Sequence, residues 1–178
     1  MSGLGKRGSA GGTVGSLQGV LGGERVYAAD MLARPLSGWP VSADAPLTFD
    51  AQSQTKNARS FDSDADRAVA FSVRVPDGVT SIMLRIPGRV GTPQPGEVQV
   101  LLRMHARVGE GAWEGPQAVG ILKCPNNLPQ STCYSVLLSA LGISPGDDAQ
   151  FLLSRNPSGA SDTLDGGWLL YELGVNFA

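Results

Sequence analysis

Apolar and polar residues alternate along much of this chain with a period of two, which predicts half-buried strands. Val69, Phe71, Val73 and Val75 share one face, and Ala70, Ser72 and Arg74 take the other. The turn Pro76-Asp77-Gly78 ends that run; Ile82, Leu84 and Ile86 then alternate with Ser81, Met83 and Arg85 as far as Pro87-Gly88. The longest run sets Val98, Val100, Leu102, Met104, Ala106 and Val108 against Glu97, Gln99, Leu101, Arg103, His105 and Arg107. Farther on, Pro145-Gly146-Asp147 turns the chain into Phe151 to Ser154, a polar loop runs from Arg155 to Gly167, and a closing strand starts at Trp168. Its letters put Leu169, Tyr171, Leu173, Val175 and Phe177 on one face and Trp168, Leu170, Glu172 and Asn176 on the other. Each inward side chain is worth roughly 1.5–3 kcal/mol when buried, so these runs carry the expected core.

Shorter signals fill the gaps: a first strand over 25–31, an extended piece at 47–49, a strand at 118–123, and a strand or short helix over 134–141. Pro35, Gly38, Pro40 and Pro46 punctuate an irregular crossing, and a polar loop covers 50–67. About eight short strands without a long helix predict an all-β, antiparallel two-sheet sandwich. The long crossings at 32–46 and 50–67 favour jelly-roll connections over plain hairpins.

Composition divides the chain in two. A length of 178 residues suits one domain with a core that needs no staples. Glycine crowds residues 1–24, where Lys6 and Arg7 are the only positive charges. This segment is expected to be an extended Gly-rich N-terminal arm ahead of a sandwich over 25–178. Val14, Leu17 and Leu21 have helical spacing, but Gly15 and Gly19 each cost such a helix ~1 kcal/mol, so these three are expected to anchor the arm on a neighbour. Gly3 to Gly8 spell G-x-G-x-x-G without the preceding strand that a dinucleotide site needs.

With 14 basic and 16 acidic residues interspersed, no general nucleic-acid surface is indicated. No apolar run reaches the ~18 residues of a spanning helix, and the N-terminus lacks the apolar core of a signal peptide, so synthesis in the cytoplasm and no membrane partner are expected.

Candidate chemistry is sparse. Cys124 and Cys133 flank a loop; their spacing fits either a bridge or two free thiols, and they are too few for zinc. Asp62, Asp64 and Asp66 imitate half a calcium loop, but Arg67 stands where glycine belongs and Val73 where glutamate belongs. Glu110 and Glu114 beside Trp113 have no imposed geometry for sugar cleavage. His105 lies between Arg103 and Arg107 without a nucleophile motif. No cofactor and no enzymatic activity are expected. Trp39 and Trp113 fall in loops, where an indole could stack on a glycan or plug the end of a sandwich.

The outward faces carry Met83, Leu101, Trp168 and Leu170 among Arg74, Arg85, Arg103 and Arg107. If contiguous, that mixture reads as a subunit interface, with Met83, Leu101, Arg103, Trp168 and Leu170 as its residues.

Phe71 to Pro76, Ile82 to Ile86, Pro145 to Arg155, Asp162-Thr163 and Leu169 to Leu173 together give a pattern that resembles small jelly-roll modules of tailed-phage virions. The resemblance spans about residues 65–178 and carries no diagnostic motif. It implies a homotrimer in the virion, and most directly a capsid decoration (cement) protein whose N-terminal arm, with Val14, Leu17 and Leu21 as candidate contacts, attaches it to the major capsid protein or other virion proteins. The alternative it implies is a head-fibre, tail or baseplate module binding a host surface glycan. No catalytic residues come with either.

Overall fold

The computed structural model describes residues 24–31, 40, 43–50, 57–92, 94–125 and 130–178. The N-terminal arm with Val14, Leu17 and Leu21 lies outside the described residues, as does Trp39.

The elements are β1 (Glu24–Tyr27), β2 (Ala43–Asp44), β3 (Leu47–Phe49), β4 (Asn57–Phe61), β5 (Arg67–Arg74), β6 (Ser81–Val90), β7 (Glu97–Val108), β8 (Glu114–Pro125), β9 (Gln130–Leu137), a 3-10 turn (Leu138–Leu141), β10 (Asp148–Arg155), β11 (Trp168–Leu170) and β12 (Glu172–Phe177). Among the described residues they form two sheets. The first runs β1-β12-β6-β11-β4-β3 with β9 on the free side of β6, and the second runs β2-β5-β10-β7-β8. Every pairing is antiparallel except the two-residue β2–β5 contact. The chain is therefore an all-β sandwich, as the alternation predicts. No helix among the described residues is long and apolar enough to cross a membrane.

The inward faces of the three long runs are as expected, although β6 does not stop at Pro87-Gly88 but continues to Val90, with Pro87 and Gly88 paired to β9 and Gly88 also to β11. Val69, Phe71 and Val73 of β5, Ile82, Leu84 and Ile86 of β6, and Val98 to Ala106 of β7 at alternate positions are all buried between the sheets. Phe71 stacks on Phe151 with centroids 5.5 Å apart, joining β5 to β10. Val108 breaks the series: at the mouth of the β7–β8 turn it is 40% exposed.

The closing strand departs from its letters. Leu170 of β11 pairs with Gly88, whereas Gly174 of β12 pairs with Arg85, so four steps along one chain match three along the other. The extra residue is a bulge, and it inverts which side chains face inward. Trp168 and Leu170 are consequently fully buried in the core together with Leu173 and Val175, so they do not lie on an outer face. Gly88 makes room: a Cβ there would sit 2.5 Å from the Trp168 ring. Phe61 tilts against the same indole at 5.4 Å.

The contiguous outer patch also dissolves. Met83 and Arg85 belong to the first sheet, Leu101, Arg103, Arg107 and Arg74 to the second, and these outer faces lie on opposite sides of the sandwich. Tyr171, at the bulge, donates its hydroxyl hydrogen to Asp50 Oδ2 at 2.7 Å and accepts from Arg89 Nε at 2.7 Å. Asp50 and Arg89 are an ion pair at 1% and 5% side-chain exposure. Burial, then the bond to Asp50, pushes the Tyr171 hydroxyl up to about 12.

A second buried pair closes one end of the sandwich. Arg155, the last residue of β10, follows Phe151 and Leu153 in the inward series and is fully buried. Its Nε and Nη2 donate to the two oxygens of Asp162 at 2.9 and 2.8 Å. Nη1 donates to the carbonyls of Phe61 and Gly166 at 2.9 and 2.5 Å, and Nη2 also reaches the Leu164 carbonyl. Asp162 in turn accepts from the Leu101 amide at 3.1 Å. A buried charge persists only when its partners are all supplied, and here one bidentate pair and three carbonyls supply them. The loop 155–167 is thereby bound to β7 and β4.

Candidate functional site

Because β10 lies between β5 and β7, its outward residues find partners on both sides. Asp148 faces Arg74; Gln150 faces Ser72 and Arg107; Leu152 faces Ala70 and His105; Ser154 faces Ala68 and Arg103. The outer face of the second sheet is thus a ladder of four rungs, polar at one end.

Exposure divides that ladder. Leu152, Ala70 and Ala68 are fully buried, and Ser154 and His105 are buried at 3% and 7% exposure. At the other end Ser72, Arg74 and Asp148 are exposed and Gln150 is half-buried, while Arg107, the β7 partner of Gln150, is buried at 3% exposure. There a cavity of about 280 Å³ opens, lined by Ser72, Arg74, Asp148 and Gln150 with Val73, Ala149 and Gly109.

Local chemistry orders this end. Arg74 Nη1 donates to Asp148 Oδ2 at 2.8 Å in a solvent-exposed pair. Arg107 Nε donates to Gln150 Oε1 at 2.8 Å. The Arg107 guanidinium also lies 4.8 Å from the centroid of the Trp113 ring, a cation–π contact that ties the indole to β7. Gly109 has φ 53, a left-handed turn that glycine adopts without strain, and the chain reaches half-buried Trp113 from there. His105, one rung down, is kept below its usual range by burial and by Arg103, so it is neutral at pH 7.

The depression offers a donor (Arg74) and polar groups that can accept (Asp148, Gln150, Ser72), with an aromatic ring, Trp113, linked to it through buried Arg107. Such a set recognises a polyhydroxylated molecule with an apolar ring face better than a strongly charged one, because its single carboxylate is already matched by an arginine.

The residues singled out from sequence distribute as follows. Arg74 lines this site, Trp113 and Arg107 connect to it through Gln150, and Arg103 lies on the fourth rung opposite Ser154. Leu101 is half-buried on β7, and Met83 is 36% exposed on the opposite sheet. Cys124 is buried and Cys133 exposed, and both are free thiols. Burial drives the Cys124 thiol up to about 11. Arg67 pairs with Asp62 and Asp64 at 3.2 and 3.3 Å, and no cluster of three or more His, Cys, Asp or Glu among the described residues could hold a metal ion. Glu110 is exposed, and Glu114 starts β8 beside Gly142. Ser72, Asp148 and Gln150 were missed, because only the strand order brings them together; Asp148 reads in sequence as turn chemistry.

No family model and no curated protein matches the chain. Solved structures do. A CBM36-1 domain of a multidomain xylanase, from the hindgut metagenome of Trinervitermes trinervoides, superposes with TM-score 0.53 at 9% identity over 87% of this chain and 97% of its own. A CBM22-2 xylan-binding domain of Paenibacillus barcinonensis Xyn10C gives 0.53 at 6% identity over 87% and 99%. The tailspike protein 4 of bacteriophage CBA120 is similar over 80% of this chain and 20% of its own, at TM-score 0.40 and 10% identity. At these identities the likeness shows the fold, a jelly-roll sandwich shared with carbohydrate-binding modules.

Proposed function

We propose that this protein is a non-catalytic jelly-roll module that binds a neutral saccharide on the outer face of its second sheet. One observation carries the proposal: a depression whose polar lining is Ser72, Arg74, Asp148 and Gln150 is linked, through the Gln150–Arg107 hydrogen bond, to the Trp113 ring that lies 4.8 Å from the Arg107 guanidinium. An indole stacks on the apolar face of a sugar ring, and the paired Arg74 and Asp148 present a donor and an acceptor to adjacent hydroxyls. Solved modules of the same architecture include a xylan-binding domain, which is the reason to test xylan fragments first.

The non-catalytic reading rests on the same lining. Glycoside hydrolysis takes two carboxyl groups flanking the bond, and Asp148 is the one carboxylate among the cavity's lining residues. Trimerisation, virion attachment and capsid decoration, expected from the resemblance to phage modules, have no surface assigned to them among the described residues. A glycan-binding role at a phage surface would use this site. The test is a glycan array followed by calorimetry. The wild type should retain a defined glycan, and Trp113→Ala should weaken it about tenfold or more while the thermal midpoint holds. Equal retention by Trp113→Ala would move the site elsewhere.

A further inference from the structure

We infer that the site takes a single sugar ring, a chain terminus or branch residue, rather than a run of ring units lying along the sheet. The inference rests on the saccharide-binding proposal above and narrows it to a class of glycan. Its first support is size. A cavity of about 280 Å³ falls just short of the ~300–1,000 Å³ typical of small-molecule sites, so it accommodates one ring and little of a second.

Its second support is the ladder itself. A polymer lying across a sheet needs an open face over several rungs, and here the open face ends at the second, where Ser72 is exposed, Gln150 half-buried and Arg107 3% exposed. Leu152 at 0% exposure and His105 at 7% close the third rung, and Ser154 at 3% with Ala68 at 0% closes the fourth. In the other direction the first rung is the Arg74–Asp148 pair, beyond which β10 gives way to the turn before it. The hydroxyl-reading groups Ser72, Arg74, Asp148 and Gln150 are thus gathered around one position, and no aromatic among the cavity's described lining residues extends it to seat a neighbouring ring.

The experiment is competition calorimetry on the full chain, with xylose, glucose, mannose and galactose each offered as methyl monosaccharide, trisaccharide and hexasaccharide. The expected result is that for the preferred sugar all three lengths bind within about twofold per chain end, a difference below ~0.5 kcal/mol. Gln150→Ala should weaken all three equally, and Arg103→Ala, at the margin of the closed rungs, should leave the hexasaccharide unaffected. Affinity climbing tenfold or more from monosaccharide to hexasaccharide, or a loss of hexasaccharide alone in Arg103→Ala, overturns the single-ring inference and leaves saccharide binding standing. Retention of none of these sugars, and of no glycan on the array, overturns both.

Discussion

The two ends of β10 each carry an arginine–aspartate pair, and the pairs could hardly differ more. At the start of the strand Asp148 meets Arg74 with side chains 78% and 66% exposed. At its end Arg155 meets Asp162 with both fully buried. Bond lengths are alike, at 2.8 Å. Surroundings decide what each does. In water the attraction is nearly offset by hydration and side-chain entropy, so the first pair contributes little to stability and is free to exchange partners with a ligand. Out of water, removal of either partner strands a charge, so the second pair holds its loop in one arrangement. One strand therefore connects a fixed end to an adaptable one.

The largest way to test that contrast is Asp162→Ala. It leaves the Arg155 guanidinium without its carboxylate and should cost about 3–5 kcal/mol in urea unfolding, enough to unfold a marginal domain. Gly88→Ala strikes the same closed end through packing. The new Cβ would meet the Trp168 ring, so a loss of about 1–3 kcal/mol is expected in thermal unfolding. Alkali should reach this end as well, because Cys124 lies near Arg155 and Asp162. Its thiol is raised from 9.0 to about 11 in the folded protein, chiefly by burial. The raised value means the folded state keeps its proton longer, so that share of stability is complete below pH 9 and is lost as pH rises to 11. Thermal midpoints over that interval should fall less steeply in Cys124→Ala. Smallest is Arg74→Ala at the open end, where stability should change by less than ~1 kcal/mol while saccharide affinity drops. A stability loss at the open end matching that of Asp162→Ala would erase the contrast.

The same two ends show what a sequence makes legible. Alternation in β5, β6 and β7 is regular enough that the inward residues of all three strands are legible, whereas the end of β6 is not: Pro87-Gly88 reads as a stop, yet the strand continues to Val90. Arg155 was read as the start of a loop because it is charged. Its position two residues after Leu153 and four after Phe151 was a usable signal that it points inward. The candidate site is only partly visible in sequence: Arg74, and the Arg107 and Trp113 that support Gln150, stand out singly. Gln150 and Asp148 became partners of β5 and β7 through a strand order that no local pattern encodes. Trp168 and Leu170 were assigned to the wrong face because a bulge leaves no trace in letters when both faces already carry large apolar residues.

That extra residue makes the molecule more sensitive to length than to chemistry. Replacing Tyr171 with phenylalanine would remove its hydroxyl's contacts with Asp50 and Arg89 and leave every neighbour where it is. Deleting its codon would erase the frame-shift between β11 and β12, and the indole of Trp168 would have to turn outward or drag the loop before it out of place. A one-codon deletion here should be far worse tolerated than any substitution at the same position.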